Sequence, residues 1–475
     1  MFYIGLDFGT YTTKVAFLKD NQHEPNLINL EDLSDKEGFI YSFIDLESNE
    51  IGLPAYDKYK NGKGNVKYGF KLRMMEEEGK QLCIKFLSKI REKIKEKLKD
   101  NIKIMFSAPN SWFVGREENE IYKEILRKAG FEVNDSVIVR EPYASALYHV
   151  SGEIKHLNKK VLVIDAGAGT IDMLIVNVFE KGVEYVEGSE KFYNRGGIEI
   201  DKIIKERYEL SSLYEAEMLK FRASYWFGEG HNSCDFRREK GTKITIKREE
   251  FEEFLSDWIK ELRNCLEEYK NFEFDYILIT GGFGRFYIFK KLVEEIFGKK
   301  EILPHKNDSY YKDKDFIKDA SVSFGCAMES SGKFKTIVNV QVNVYLVLES
   351  SIGIKEVYYN DKKCNFESKG HGKYEILLFN KDETLPVEKY LKNFKINQKP
   401  LEVELDKVFY ISIETPNEKK EIPIVIQKYE KVKNKKVENL KFKITNDREF
   451  KVVFIDQNGN EDELSSKQLR EIMGG

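Results

Sequence analysis

The first 330 residues alternate between short apolar runs and longer stretches with apolar side chains at helical spacing. Apolar runs at 2–6 and 13–18 predict two strands that are separated by a short polar turn. Residues 78–99 place apolar side chains at helical spacing among many Lys and Glu, which predicts an amphipathic helix with one solvated face. This order of strands and helices is typical of an α/β sheet that is covered by helices.

The pattern of the first fifteen residues is repeated in the middle of the chain. Between residues 161 and 178, an apolar strand, a Gly-rich turn that begins with Asp165 and a second apolar strand follow one another. Asp7 and Asp165, which open the two turns, are 158 positions apart, so the repeat predicts two related lobes. A further turn, Gly281-Gly282, also follows an apolar strand and precedes a helical pattern, while residues 201–270 predict mostly helix.

After residue 332 the pattern changes to short alternating strands. Ile337–Leu348 alternates over its whole length, and the other predicted strands lie at 353–358, 374–379, 408–413, 422–427, 440–444 and 450–455. Short strands with polar turns between them predict a β-sandwich or barrel, and Asn458-Gly459 is typical of a hairpin turn. At the end of the chain, 463–473 predicts a helix.

Composition and charge exclude several classes of protein. The formal net charge is −3, so no strong field favours nucleic acid or an anionic membrane as the main partner. The 5 cysteines are scattered without a Cys-x-x-Cys pair, which argues against a zinc ribbon or a disulfide framework. The first residues lack the pattern of a signal peptide, and no long apolar run predicts a membrane span. We therefore expect a soluble, cytoplasmic protein.

The two Asp-turn-Thr hairpins have the chemistry of a phosphate clamp. Backbone N–H groups of Gly-rich turns can approach phosphate oxygens closely, and Thr10 and Thr170 add hydroxyl donors. The aspartates would be repelled by phosphate, so their expected role is to hold hydrated Mg²⁺ and to orient a water. One such turn is usually only a tight turn. Three in this order, each directly after an apolar strand, predict a nucleotide site.

Six segments together resemble the seventy-kilodalton heat-shock chaperone family, within the superfamily of two-lobed ATPases that includes actin and hexokinase. They are Ile4–Thr10, Gly69–Arg73, Phe106–Asn110, Val139–Leu147, Val163–Asp172 and Ile279–Arg285. The segment after residue 139 is the most specific for the chaperones, because the wider superfamily does not require Glu-Pro there. The resemblance implies an α/β, two-lobed actin-like ATPase fold that is followed by a C-terminal all-β sandwich domain.

This resemblance and the change of pattern predict the division of the chain. The nucleotide-binding domain would span 1–331, with lobe I at about 1–155 and lobe II at about 156–331. The remaining parts would be a linker at 332–342, a β-sandwich for a substrate or partner at 343–463, and a short helical tail at 464–475.

The resemblance also implies roles for individual residues. Asp7, Asp165 and Asp172 would surround the metal, mainly through water. Lys71 would contact the γ-phosphate, Glu141 would complete the water shell of the metal, and Asp165 and Thr170 would complete the catalytic set. The residues implied to bind ATP or ADP are Gly9, Thr10, Tyr11, Gly167, Ala168, Gly169, Thr170, Gly196, Gly197, Glu217, Lys220, Phe221, Ser224, Gly281, Gly282, Phe283, Arg285 and Asp319.

Four of these positions depart from the family pattern. Ala168 stands where the family has a Gly, and a methyl is tolerated there if the backbone stays at negative φ. Phe221 replaces an arginine that packs on the adenine, and a phenyl ring can also stack on a base. Tyr11 and Phe283 replace small hydroxyl residues and are expected to narrow the pocket.

These features predict an ATP-binding protein of the chaperone type with a weak, Mg²⁺-dependent ATPase activity. Its nucleotide state would control the binding of an extended peptide or a protein by the C-terminal domain, with a co-chaperone or exchange factor as a further partner. Lys333–Val344 lacks a clear counterpart of the family's linker, and no long helical lid is predicted after the β domain. The alternatives are an actin-like cytoskeletal or cell-division ATPase, a small-molecule kinase, and a nucleotide-binding scaffold with little turnover.

Overall fold

The computed structural model describes most of the first 337 residues and the strands that follow them. The described residues are 1–98, 102–114, 117–133, 137–150, 154–186, 188–238, 241–303, 319–337, 343–349, 357–359, 362–365, 367–370, 373–379, 387–391, 395–396, 399–400, 409–414, 419–424, 437–444, 450–456 and 461–465. The chain divides into two compact units, Met1–Thr336 and Ile337–Gly475. This division falls inside the predicted linker, and the other domain boundaries stay predictions.

The first part of the larger unit is built on a mixed sheet in the order β3-β2-β1-β7-β8, with β4 also paired to β2. β1 runs antiparallel to β2 and parallel to β7. The elements are β1 Phe2–Asp7, β2 Thr12–Lys19, β3 Asn26–Leu27, β4 Phe39–Tyr41, β5 Phe43–Asp45, α1 Leu53–Lys60, β6 Val66–Tyr68, α2 Glu77–Leu98, β7 Ile102–Ala108, α3 Ser111–Val114, α4 Glu117–Lys128, β8 Ile138–Arg140 and α5 Glu141–Val150.

The second part of this unit repeats the same arrangement of strands. β9 runs antiparallel to β10 and parallel to β15, in the order β16-β15-β9-β10-β11-β17, with β12 also on β10. The elements are β9 Lys160–Ala166, β10 Ile171–Phe179, β11 Gly182–Tyr185, β12 Lys191–Tyr193, α6 Gly197–Arg207, α7 Leu213–Gly228, β13 Ser233–Arg237, β14 Lys243–Lys247, α8 Arg248–Phe254, α9 Ser256–Glu267, β15 Tyr276–Thr280, α10 Tyr287–Phe297, β16 Glu301–Ile302, α11 Ser321–Ser330 and β17 Lys335–Ile337. The prediction of a mixed α/β fold with two similar sheets is confirmed.

The prediction of mostly helix over 201–270 is confirmed, but it did not include the antiparallel hairpin of β13 and β14. Cys234 and Phe236 on β13 and Ile246 on β14 are buried, while the side chains between them face solvent. This alternation has a period of two, as expected for a strand with one buried face. It extends over only 5 residues in each strand, so the long helices on either side dominate the sequence pattern.

The smaller unit consists of strands wherever the structure describes it. Antiparallel sheets have the orders β21-β22-β18-β26-β27, β20-β19-β24-β25 and β23-β28-β29-β30. The strands are β18 Asn343–Glu349, β19 Val357–Tyr359, β20 Lys362–Cys364, β21 Glu367–Gly370, β22 Lys373–Phe379, β23 Val387–Leu391, β24 Lys395–Ile396, β25 Lys399–Pro400, β26 Phe409–Glu414, β27 Lys419–Ile424, β28 Val437–Ile444, β29 Phe450–Asp456 and β30 Glu461–Ser465.

The beginning of the predicted tail helix is a strand instead. Glu463 pairs with Val453 and Leu464 pairs with Val452, so the backbone groups of this segment are used in a ladder with β29. Cross-strand pairing outweighs the local helix pattern here, because the partner strand supplies hydrogen bonds to the backbone. Residues 466–475 and the turn Asn458-Gly459 lie outside the described residues.

Separate apolar cores lie beneath the two sheets of the larger unit. The 22-residue helix α2 is amphipathic, and its buried face, which includes Phe86 and Ile90, packs into the first core. Trp258 and Tyr269 are among the large side chains fully buried in the second core. In the described parts of the chain, every helix is too short or too polar to cross a membrane.

Two helices, α5 and α11, each pack on the sheet of the other half. α5 follows the strands of the first sheet but packs on β9 and β10 of the second, whereas α11 follows the second sheet and packs on β1 and β7. The two helices also pack on each other, and a Cβ on Gly325 would lie only 1.8 Å from the carbonyl oxygen of Ala144. A Cβ on Gly5 would lie 2.0 Å from the carbonyl oxygen of Ser323. The close packing at this junction therefore requires glycine at position 325 of α11, which faces α5, and at position 5 of β1, which faces α11.

We expect Gly325→Ala to lower the free energy of unfolding by about 2 to 3 kcal/mol, because the added methyl must push two backbones apart. Urea unfolding followed by circular dichroism measures this change. Gly228→Ala, at the end of α7, is the matched control: its Cβ would lie 3.5 Å from Tyr287 Cβ, an ordinary contact. The control should stay within about 1 kcal/mol of the parent. Equal stability of the two variants would contradict a close crossing of α5 and α11.

Candidate functional site

A cavity of about 750 Å³ lies between the Gly-rich turns of the two sheets. It contains most of the residues that the sequence predicts for a nucleotide site. Those on its wall are Asp7, Gly9, Thr10, Tyr11, Lys71, Glu141, Asp165, Gly167, Ala168, Gly169, Thr170, Gly197, Glu217, Lys220, Phe221, Gly281, Gly282, Phe283 and Asp319. Residues 196, 224, 285 and 172 were also predicted but are not part of this wall.

The turns of the two sheets meet at the cavity. A Cβ on Gly169 would lie 2.7 Å from the hydroxyl oxygen of Thr10, so the second turn can approach the first only as glycine. Gly281 has a φ of +81°, and a Cβ there would lie 2.3 Å from the carbonyl oxygen of Ala166. Ala168 does not adopt a positive φ, which meets the condition under which a methyl is tolerated at that position.

The start of α6 holds the second turn in place. The backbone N–H groups of Gly196 and Gly197 donate to the carbonyl oxygens of Gly169 and Gly167, at 3.1 Å in both cases. The N–H group of Ile198 donates to the carbonyl oxygen of Ala168 at 2.9 Å. Gly196 and Gly197 were predicted to line the phosphates, but here their N–H groups donate within the protein.

Buried carboxylates form one end of the cavity. Asp7 accepts hydrogen bonds from Ser107 Oγ and Lys14 Nζ, both at 3.0 Å. Asp165 is only 6% exposed, and no side chain in the described residues donates a hydrogen bond to its carboxylate. Burial raises the pKa of Asp165 well above its ordinary value, and repulsion from the neighbouring carboxylates Glu141, Asp319, Asp172 and Asp7 raises it further.

Lys71 and Glu141 form a buried ion pair at this end. Lys71 Nζ lies 2.9 Å from Glu141 Oε1, and the lysine side chain is 4% exposed. The ammonium group also lies 5.0 Å from the ring centre of Trp112, in a cation–π contact. Burial raises the pKa of Glu141 to about 7, although the positive charge of Lys71 works in the opposite direction.

Asp172 lies beneath the turn and not on the cavity wall. It accepts hydrogen bonds from the backbone N–H of Asn110 at 2.8 Å and from Thr170 Oγ1 at 2.7 Å. Burial raises the pKa of Asp172 to about 6, while these two hydrogen bonds lower it. In this arrangement, Asp172 connects the first sheet to the second turn and orients the Thr170 hydroxyl.

The opposite end of the cavity has its own charged cluster. Lys220 Nζ lies 2.8 Å from Asp201 Oδ1 and donates to the carbonyl oxygen of Gly197 at 3.2 Å. Tyr11, from the first sheet, donates through its hydroxyl to Glu217 Oε2 on α7 at 2.6 Å. Burial raises the pKa of Glu217 to about 7, with repulsion from Asp201 as the next cause. Tyr11 and Glu217 thus form a hydrogen bond across the cleft.

Ser224, which was predicted for the adenosine pocket, contacts the backbone at the start of α10. Ser224 Oγ accepts a hydrogen bond from the backbone N–H of Tyr287 at 3.0 Å and donates to the carbonyl oxygen of Arg285 at 3.4 Å. Asp319 lies on the wall but near the acidic end: it accepts from the Gly281 N–H at 2.6 Å and from the Ser321 N–H at 2.7 Å. Asp319 therefore holds the third turn against α11.

Sequence reasoning missed Lys14 and Asp201, which both line the cavity. Lys14 was hidden because its relation to Asp7 depends on strand register: the two residues are direct cross-strand partners in the β1–β2 hairpin. Burial alone would lower the pKa of Lys14, but the attraction of Asp7 raises it above its ordinary value. The hairpin register, had it been worked out, would have placed this lysine beside the carboxylate.

The comparisons with known proteins agree with this fold. The family model "Hsp70 protein" matches residues 47–222. The chain is 21% identical to the chaperone protein DnaK of Thermosipho melanesiensis over 377 residues, which cover 69% of this chain and 59% of the relative. It is 23% identical to DnaK of Thermosipho africanus over 343 residues, covering 62% of this chain and 55% of that relative. The matched part of the chain spans little more than half the length of these relatives.

The two similar mixed sheets, with Gly-rich turns facing one cavity, are consistent with the class of two-lobed, actin-like ATPases. Within that class, the chain is similar to the Hsp70 family over residues 47–222 and, at low identity, to the two DnaK chaperones.

The raised pKa of Glu217 predicts a pH-dependent stability. An acid whose pKa rises from 4.5 to about 7 on folding makes the folded state less stable as the pH rises through this range, because the unfolded state releases its proton first. Glu217→Gln removes this titration. We expect its free energy of unfolding, relative to the parent, to increase by about 1 to 3 kcal/mol between pH 5 and pH 8. Urea unfolding at both pH values measures the difference.

Glu124→Gln is the matched control for this experiment. Exposed ion pairs with Lys128 and Lys80 lower the pKa of Glu124 to about 2, so its stabilising effect is lost only as the pH falls below its ordinary value of 4.5. The control and the parent should therefore differ by the same amount at pH 5 and pH 8. A pH-independent difference for Glu217→Gln as well would show that Glu217 is ionised normally.

Proposed function

We propose that this chain binds ATP and ADP with Mg²⁺ and hydrolyses ATP slowly. The observation that carries this proposal is the meeting of the two turns at Gly169 and Thr10, beside a cavity that also holds Lys71 and Asp165. Glycine turns let a phosphate approach the backbone, and a buried lysine can balance its charge. Catalysis of phosphoryl transfer consists largely of such positioning and charge stabilisation.

The acidic end suits a hydrated magnesium ion. Among the described residues, no three His, Cys, Asp or Glu side chains converge to hold a metal ion directly. Mg²⁺ retains several waters in protein sites, so Asp7 and Asp165 would hold it through its water shell. The Asp165 carboxylate, which receives no hydrogen bond from a described side chain, has room for such waters. The ion would supply positive charge that neutralises the phosphates.

Lys71, Thr170 and Asp165 would share the remaining roles in ATP hydrolysis. Lys71 would leave Glu141 and donate to the γ-phosphate as negative charge develops there. The Thr170 hydroxyl, which is oriented by Asp172, would donate to the same phosphate. The Asp165 carboxylate, which lies on the cavity wall, would orient the attacking water and accept its proton.

The other end of the cavity would bind the nucleoside. Glu217 and Lys220 can pair with the ribose hydroxyls, and Phe221, which lies on the wall, can stack on the base. The ring of Phe283 lies 5.4 Å from Lys220 Nζ and narrows the pocket from below. The Tyr11–Glu217 hydrogen bond must rearrange when ribose takes Glu217 as its partner, so nucleotide binding would change the closure of the cleft.

For the C-terminal unit we propose binding of an extended peptide under the control of the nucleotide. In the described region, its five-stranded antiparallel sheet β21-β22-β18-β26-β27 has β21 and β27 at its edges, where an added strand could pair. Leu377 on β22 is 47% exposed and offers an apolar contact. A co-chaperone or exchange factor would act on the same nucleotide-controlled binding of the peptide. Assembly into filaments, or nucleotide binding without turnover, would support the actin-like or scaffold alternative.

Lys71→Ala separates binding from hydrolysis. We expect Mg-ATP to raise the melting temperature of both the parent and the variant, with affinities within about tenfold of each other. Single-turnover hydrolysis should be slower by about 100-fold or more in the variant, because the interaction with Lys71 develops in the transition state. Differential scanning fluorimetry and quenched-flow assays with radiolabelled ATP measure the two effects.

Lys80→Ala is the matched control, because Lys80 also pairs with a glutamate, Glu124, but lies outside the cavity wall. It should bind and hydrolyse ATP like the parent. If saturating ATP and ADP fail to stabilise the parent protein, with and without Mg²⁺, the nucleotide proposal is wrong. If Lys71→Ala and the parent hydrolyse ATP at the same rate, the active centre does not include Lys71.

The peptide proposal predicts reciprocal coupling. If ATP and ADP change the affinity of the full chain for a fluorescent extended peptide by some factor, the peptide must change the relative affinities for ATP and ADP by the same factor. Fluorescence anisotropy with a peptide library and saturating nucleotide tests this. Peptide affinity that is equal with ATP, ADP and no nucleotide would contradict control by the nucleotide. Sedimentation of large assemblies only with ATP would instead favour the actin-like alternative.

A further inference from the structure

Lys14 is a cavity lysine to which the roles above assign no part. It lies on β2 directly opposite Asp7 on β1, and its Nζ is 3.0 Å from Asp7 Oδ2. The lysine side chain is only 14% exposed and forms part of the cavity wall. A buried ammonium group needs compensating acceptors, because its desolvation is otherwise costly.

The single ion pair leaves part of this requirement unmet. An ammonium group has three N–H donors, and within the described residues only Asp7 accepts from Lys14. A Cβ on Gly9 would lie 3.6 Å from Lys14 Nζ, so the ammonium group is next to the first Gly-rich turn. Its remaining donors are therefore available at the end of the cavity where the turns of both sheets meet.

The balance of charges at this end favours a second anionic partner for Lys14. The carboxylates of Asp7, Glu141, Asp165 and Asp319 line it, whereas its lysines are Lys14 and Lys71. Lys71 is already held by Glu141. A polyphosphate that enters here is repelled by the carboxylates, so a cation that is already fixed in the protein favours its binding.

We propose that Lys14 is a phosphate-binding residue, a fixed cation that contacts a phosphate oxygen of a nucleoside diphosphate or triphosphate while it remains paired with Asp7. This inference rests on the proposed function and adds to it. Because the cation is part of the protein, ADP binds without a divalent ion. Mg²⁺ then increases the affinity for ADP beyond what the contact between Lys14 and the phosphate provides.

Isothermal titration of the full chain with adenosine, AMP and ADP, each in EDTA and in saturating Mg²⁺, tests the proposal. In EDTA, Lys14→Met should lower ADP affinity by about tenfold or more, as expected for the loss of a charged hydrogen bond. The loss should be smaller in Mg²⁺, and adenosine should bind equally to the variant and the parent. Lys14→Gln provides a second neutral variant that can still donate to Asp7, in case the Met variant does not fold.

Lys58→Met is the matched control. Lys58 pairs with the buried Asp45 at 2.7 Å but lies outside the cavity wall, so ADP affinity should not change. An equal loss for adenosine and ADP in the Lys14 variants, or no loss for either, would overturn the inference and leave Lys14 as a structural partner of Asp7. Failure of the parent to bind ADP under both conditions would instead refute the proposed function itself.

Discussion

The close crossing of α5 and α11 is the constraint on which the site depends. Each helix follows one sheet and packs on the other, and they touch where Gly325 meets the backbone of Ala144. α5 begins at Glu141, and α11 begins two residues after Asp319, so both helices start at the acidic end of the cavity. A rotation of the sheets about this crossing would move the two carboxylates relative to each other. The same packing thus joins the halves and positions their charges.

The cavity places like charges in a buried environment, which is unfavourable without a ligand. The pKa values of Glu141 and Asp165 are raised mainly by burial and further by repulsion from neighbouring carboxylates, while the charge of Lys71 lowers that of Glu141. Cations that enter with a ligand relieve this repulsion, so binding and closure of the cleft favour each other. On the opposite side, Tyr11 bonds to Glu217, and Tyr56 makes an edge contact with Tyr214, at 6.3 Å between ring centres. These contacts bridge the cleft.

The repeated hairpins could be predicted from sequence because their signal is local: an apolar strand, an aspartate and glycines in a fixed order. The same signal placed most of the proposed binding residues on one wall. Ser224 could not be excluded from that wall by its residue type, because a serine in a helix can serve a ligand or a neighbouring backbone equally well. Ser224 bonds to the neighbouring backbone because Tyr287 on α10 approaches it, and this is a tertiary contact that the local sequence does not reveal. The hairpin of β13 and β14 was missed because its alternation is short and lies between strong helix patterns.

The use of the α6 amides within the protein changes how the phosphates can be bound. The N–H groups of Gly196 and Gly197 hold the second turn in its position against Thr10 and are not available to a ligand in this arrangement. In the proposed site, the phosphates would then be bound more by side chains, which are hydroxyls and lysines here. Unlike backbone amides, ammonium groups carry full charge and can balance a buried carboxylate and a phosphate together. Under this proposal the amides fix the geometry of the turn, and Lys14 and Lys71 would supply the charge for the phosphates.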